Sequence, residues 1–157
     1  MDRDDRVECL SEDECLRLLA TVPLGRVLYT AHALPAVLPV AFEVAPDGRL
    51  VLALRRGAAV CRALDDTVTA FQADLLDAVT LAGWSVVVHG RSELVSDPAQ
   101  YERLVRWGPR AFADGGEPMF AMITPELVGG RRTLPAGRAV GAAEPTAGRT
   151  PTAPPDM

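Results

Sequence analysis

Apolar and polar positions along this chain follow first a helical and then a strand period, and the switches between them mark its elements. In "SEDECLRLLAT", Ser11 and Glu14 stand three apart as a capping box, and Leu16, Leu19 and Ala20 follow at helical spacing. A short amphipathic helix is predicted over Ser11–Thr21, ended by Pro23 and Gly25. The period then shortens to that of strands. "GRVLYT" gives a first strand over Arg26–Thr30 and "LPAVLPVAFEV" a second over Leu34–Val44. Pro46 to Gly48 make a tight turn into a third, "RLVLAL". Ala58–Leu64 reads as a short helix, "TVTAFQADLL" as a fourth strand and "GWSVVVHGRSELV", Gly83–Val95, as a fifth. Asp97 followed by Pro98 is an N-cap with proline at the first helical position. It starts a helix through Trp107, with Tyr101, Leu104 and Val105 on one face. After Gly115-Gly116, "MFAMITPELVGGR" is the sixth and last strand.

Strands in hairpin succession, with short connections, predict a mainly β domain with a few helices, closed as a small six-stranded antiparallel barrel. Parallel strands would need longer crossovers. The expected organisation is an N-terminal extension over 1–10, the barrel over 11–134, and a Pro/Ala/Gly-rich tail over 135–157 that lacks the periodicity needed to pack.

Composition narrows the function classes. At 157 residues, 48% hydrophobic and 24% charged, the chain is of globular type. Its net charge of -5 argues against nucleic-acid binding, which needs a basic field. Every basic residue is Arg, so an anion site here must use guanidinium, backbone N–H or hydroxyl groups. Cys9, Cys15 and Cys61 form no C-x-x-C, which favours free thiols in a reducing cytoplasm over disulfides or a zinc site. The charged start, "MDRDDRVECL", is unlike a signal peptide, and no apolar run is long enough to span a bilayer.

A few positions break the pattern. Pro39 sits inside a strand and cannot donate to a ladder, so it belongs at an edge or bulge: either simply a barrel corner, the more usual case, or irregular backbone at Pro39 and Val40 that becomes available to a ligand. "LRRGAA", Leu54 to Ala59, places two arginines and a glycine before a helix start, a combination suited to phosphate. A tryptophan usually sits in a core, but Trp84 opens a strand directly after Gly83, which makes a barrel rim or subunit seam, with the indole as a wall for a planar ligand, the alternative. His32 and His89 have no acid or nucleophile at a telling spacing, so no catalytic triad and no metal box is predicted.

These positions, in this order, resemble the pyridoxamine 5'-phosphate oxidase-like proteins, the FMN-binding split barrels, in a subgroup common in actinobacteria. The resemblance covers about Ser11 to Thr133. It is carried by "LSEDECLRLLATVPLGRVLYT", "LPAVLPVAFEV", "GWSVVVHGRSELVSDP", the isolated Trp107 in "RLVRWGPR", and "MFAMITPELVGGRR". It implies a cytoplasmic homodimer with FMN at the subunit seam and a flavin-dependent oxidoreductase acting on a small molecule. Pro39 and Val40 would offer backbone groups to the isoalloxazine edge. Arg55, Arg56, Gly57 and Ala59 would lie at the phosphate, and Trp84 and Ser85 would come from the partner subunit, with Trp107 among the cofactor contacts. The family often reads Gly, Ser or Thr, then Lys at the phosphate, where this chain has Gly57-Ala58-Ala59. Arg55 or Arg56 would have to substitute, and Arg56, beside the glycine, is the expected one. The same resemblance leaves open a deazaflavin coenzyme, with Arg55, Arg56, Arg131 and Arg132 along its acidic tail, or a non-catalytic dimer whose flavin site has decayed.

Overall fold

A computed structural model describes residues 6–111 and 116–135. The tail expected over 135–157 lies, beyond Pro135, outside the described residues. The elements run β1 (Val7–Leu10), α1 (Glu12–Leu19), β2 (Leu24–Ala31), β3 (Leu34–Val44), β4 (Leu50–Arg55), α2 (Ala59–Ala63), β5 (Thr67–Leu76), β6 (Gly83–Leu94), α3 (Pro98–Trp107) and β7 (Pro118–Thr133). Strands β7-β4-β3-β2-β5-β6 pair antiparallel in that order, and β6 returns to β7, so six strands close a ring as expected. The seventh, β1, is an addition: it pairs with the last residues of β7, from Val7↔Thr133 to Leu10↔Gly130. Its side chains are exposed or half-buried, so there is no inward apolar row for a sequence reading to detect.

Alternation sorts the side chains between two clusters. Val27, Phe42, Leu50, Leu52, Leu54, Phe71, Val86, Val88 and Ile123 fill the barrel, joined by Cys15 and Leu19 of α1 and by Val60 and Cys61 of α2. Val51, Ala53, Phe120 and Met122 point outward and are covered by Tyr101 and Leu104 of α3. Strand β4 therefore buries both faces, which is why "RLVLAL" reads as an unbroken apolar run. Val105 does not join this packed face: it is 51% exposed.

The helix starts follow from their caps. Ser11 Oγ accepts from Glu14 N–H at 3.3 Å, while Ser11 N–H donates to the Glu14 carboxylate at 2.9 Å. Asp97 accepts from Gln100 N–H at 3.0 Å ahead of Pro98. Between β2 and β3 a two-residue loop puts both His32 (φ 51) and Ala33 (φ 61) in the left-handed region, where glycine or asparagine would be less strained.

Gly90 marks the place where the barrel turns. The β6–β7 register shifts between His89 and Gly90, since His89 faces Leu127 but Gly90 faces Pro125, leaving Glu126 as the extra residue of a bulge. A Cβ on Gly90 would lie 2.0 Å from the Thr124 carbonyl oxygen. Only a residue without a side chain lets the two strands approach that closely.

Candidate functional site

The barrel has a split, and it is set by where β3 stops pairing. Along one edge β3 pairs with β2 from Leu34 to Ala41, but along the other it pairs with β4 only from Ala41 to Val44. Beyond Ala41 the two strands part. The backbone direction is fixed by two hydrogen bonds: Phe42 N–H reaches Pro23 O on the β2 side, and Ala45 N–H reaches Arg49 O on the β4 side. Even-numbered residues of β3 thus turn toward β2 and odd-numbered ones toward the split. Pro39 presents its carbonyl there and has no N–H to leave unpaired, which is how a proline is tolerated inside this strand. Val37 presents both groups. Val40, facing Gly25, points its backbone into the β2 ladder, so its expected backbone contact with a ligand is corrected to Pro39 and Val37.

A cavity of about 240 Å³ fills the split. Leu38, Pro39 and Val40 form one wall, Ala53, Leu54 and Arg55 the other, and Ala58, Val60 and Ala111 close it. A second cavity, about 310 Å³, adjoins it across Leu54, Arg55 and Ala111 and extends to Val105, Pro109, Arg110, Glu117 and Pro118. Arg55 borders both. Its carbonyl is pinned by Ala58 N–H at 3.2 Å and by the Cys61 thiol at 3.4 Å, so the backbone carrying its side chain is held from two directions. Burial pushes the Cys61 thiol up from its ordinary pKa, keeping it a donor.

Arg56 is not where the sequence reading put it. Its Nε lies 3.1 Å from the Glu117 carboxylate and its guanidinium sits over the Tyr101 ring at 5.8 Å. Tyr101 in turn donates to Pro118 O at 2.8 Å. Arg56 therefore ties the end of β4 to α3 and neutralises Glu117, while its neighbour lines the cavities. Only one of two adjacent arginines could point each way, and it is Arg55 that points into the site. Gly57 turns the chain at φ 80, and Ala59 is exposed on a helix of five residues; neither lines the cavities. Trp107, 82% exposed, borders neither of them.

Trp84 is a second correction. It belongs to the inward row with Val86 and Val88, is 6% exposed and packs in the main core, so its indole is no wall for a ligand. Gly83, at φ 141, allows that placement: a Cβ there would meet Leu75 O at 1.9 Å. Ser85 faces outward, 3.4 Å from the Gln72 amide, which also bonds Asp74 at 2.6 Å. Beside it runs an open groove of about 750 Å³ with Cys9, Val87, His89, Leu127 and Arg131. One row of this outer face, Val37–Leu28–Ala70–His89–Leu127, crosses five paired strands and is largely apolar and exposed. Arg131 and Arg132 sit thirteen and fourteen positions along β7 from Pro118, the partner of Arg55. Within this one chain they border neither cavity.

The residues missed from sequence are Arg110 and Ala111. They follow Gly108-Pro109 at the end of α3 and reach the cavities only because the fold brings that segment back over β4. Among the described residues neither Arg55 nor Arg110 makes an ion pair.

Comparison with known proteins agrees with this architecture. Residues 11–132 match the family model described as pyridoxamine 5'-phosphate oxidase. The uncharacterized protein Rv0080 of Mycobacterium tuberculosis is 41% identical over 134 residues, 80% of this chain and 84% of that protein. The FAD binding protein from Mycobacterium smegmatis is similar at 27% identity and TM-score 0.62, over 80% of this chain and 97% of its own. A protein from Corynebacterium glutamicum is similar at TM-score 0.71 over 87% of this chain and 99% of its own, and its 24% identity bears on the fold alone. The chain belongs to the pyridoxamine 5'-phosphate oxidase family.

Proposed function

We propose that this protein is a flavin-dependent oxidoreductase, a cytoplasmic homodimer acting on a small molecule. The observation that carries this is the split between β3 and β4. It combines apolar walls, a strand edge with free backbone groups at Val37 and Pro39, and a lining arginine, Arg55, that has no ion partner among the described residues. That donor set suits a planar, amphipathic ring with an anionic side chain: apolar walls for the ring, backbone groups for its polar edge, guanidinium for phosphate. FMN, which the sequence resemblance implies, is the smallest flavin nucleotide that meets this description. The FAD-binding relative from Mycobacterium smegmatis supports a flavin in the same fold.

The flavin, when bound, supplies the hydride-accepting centre. The chain's share is to hold, orient and shield it. Arg55 fixes the phosphate end, and the methyl of Ala58 fills the place of the family's hydroxyl, so binding there rests on guanidinium alone. The exposed apolar row through Leu28, Val37 and Leu127 is the surface a second copy would cover, which would bring Ser85 toward the partner's cofactor.

The test is the absorption spectrum of the purified protein before and after addition of flavins, with light scattering on the same sample. Near-ultraviolet and blue bands of bound oxidised flavin in a particle of two chains are expected. A single band at shorter wavelength identifies deazaflavin instead. A colourless protein that takes up neither would leave only a binding or scaffold role.

A further inference from the structure

We propose that the cavity at the end of α1 is a second ligand site, separate from the split, and that it takes a neutral, largely apolar small molecule carrying an amide-type group. This site does not depend on the flavin reading. The cavity measures about 620 Å³, within the range of small-molecule sites, roughly 300–1,000 Å³. Leu19, Val22, Leu24, Val44 and Pro109 give it apolar walls. Glu43 and Arg110, both exposed, add one charge of each sign, so the lining as a whole favours neither a cation nor an anion.

A break in the β2–β3 ladder opens onto this cavity. By the parity of β3, Phe42 and Val44 turn their backbone groups toward β2. Phe42 N–H is met by Pro23 O at 3.1 Å. The return bond of that antiparallel pair would come from the N–H of residue 23, and a proline has none. Val44 would next face Thr21, but the chain there is folded into the end of α1. Thr21 N–H donates to Leu18 O at 3.0 Å and Val22 N–H to Leu19 O at 3.3 Å, and the β2–β3 pairing reaches only to Leu24↔Ala41. Among the described residues nothing donates to Phe42 O and nothing accepts from Val44 N–H.

Both groups belong to the cavity lining. The Phe42 ring packs inside the barrel against Phe71, with centroids 4.6 Å apart, and the Val44 side chain packs against the same core. These two residues therefore present their backbone to the cavity. Phe42 is only 2% exposed, and an acceptor left unpaired at such a residue is costly. A carbonyl and an N–H two residues apart on one strand edge match a ligand amide, which donates to the first and accepts from the second. The apolar walls take the rest of the molecule.

The experiment is a titration of the isotope-labelled full-length protein, followed by its backbone amide NMR spectrum, with three probes. Benzamide carries donor and acceptor, N,N-dimethylbenzamide keeps the ring and the acceptor but has no N–H, and benzoate adds a charge. Benzamide should shift the amides of Val44 and of Ala20 to Val22. It should bind about fivefold or more tighter than the other two, the scale of one hydrogen bond. Pro23→Ala then tests the break directly. Pro23 is exposed, so the packing is kept, while the substitution supplies the missing N–H and occupies Phe42 O from within the ladder. The new N–H at position 23 should exchange slowly, and the preference for benzamide over N,N-dimethylbenzamide should fall to within about twofold. The site is overturned if benzamide does not bind at millimolar concentration, or if its shifts centre away from Val44. It is overturned equally if the N–H at position 23 exchanges freely, or if Pro23→Ala keeps the full preference.

Discussion

Replacing Gly90 by alanine tests whether the closure of the barrel depends on the bulge. The added Cβ would lie 2.0 Å from Thr124 O, 2.8 Å from Thr124 C and 3.3 Å from Ile123 Cγ2. The first two atoms are backbone of the neighbouring strand and cannot rotate away. Relief requires β6 and β7 to part by about 1 Å, against the close packing on both sides. Overpacking of this kind costs about 1–3 kcal/mol, and a strained ladder bond adds about 1. Alanine recovers about 0.4–1 kcal/mol by restricting the unfolded chain, so the net loss should be about 1–3.5 kcal/mol. Gly129→Ala is the control. It lies on the partner strand β7, which carries the bulge, faces Val87 of β6, and its Cβ would meet nothing within 4 Å, so that variant should be neutral or slightly stabilised. Urea unfolding reads the difference as a lower midpoint for Gly90→Ala at an unchanged slope. Heating should show a melting temperature lower by roughly 2–14 °C. If Gly90→Ala unfolds within about 0.5 kcal/mol of wild type, or Gly129→Ala is equally damaging, the close approach of the strands does not explain the glycine.

Other positions make similarly direct tests. Ala33→Gly should stabilise the protein by about 0.5–1 kcal/mol, because Ala33 holds a left-handed conformation in the β2–β3 loop; an unchanged urea midpoint refutes this. Ser11→Ala should cost about 1 kcal/mol by removing the α1 cap, read in the same assay. The Ser11 backbone N–H, more than its hydroxyl, holds the Glu14 carboxyl below its ordinary pKa, so this contribution is full above the ordinary carboxylate range and is lost as pH falls through the folded value. Glu14→Gln, which cannot titrate, should therefore lose less stability on acidification, and an identical acid limb would count against the link. Arg56→Ala should leave flavin affinity within about twofold of wild type, since its guanidinium is committed to Glu117 and Tyr101; a loss as large as that of Arg55→Ala would overturn the placement of the two arginines.

What the sequence disclosed follows from whether a residue's surroundings are local. Helix α1 was legible because Ser11 and Glu14 satisfy each other within one turn. The strands were legible where polar and apolar positions separate, as Phe71 and Ala73 do from Gln72 and Asp74. Legibility failed where both faces are apolar. Val86, Val87 and Val88 give no sign of which face is inward, so Trp84 was placed at a rim when it belongs to the inward row. In β4 the run Leu50 to Leu54 is buried on both sides, so nothing in the pattern told Arg55 from Arg56. Strand β1 was missed because its pairing is a backbone matter, with no buried side chain to announce it. Arg110 could not be found at all: its cavity is assembled from β4, the end of α3 and the start of β7, which are distant in the chain.

The same parity that hid these positions also separates folding from the candidate site. Even-numbered residues of β4 fill the barrel and odd-numbered ones face outward, first under α3 and then, at Arg55, into the open cavities. The site is thus built from side chains the core does not use and from a strand edge the ladder does not use. Under the proposed flavin reading, variation at Arg55 would alter what is bound while leaving the barrel standing. Cys61 is the exception. Its thiol packs in the core and also donates to the Arg55 carbonyl, so it links the packing of α2 to the backbone that carries the Arg55 side chain. If the split binds as proposed, a change there would act on both properties at once, and the short helix after β4, rather than the barrel wall, would be the point where stability and binding are coupled.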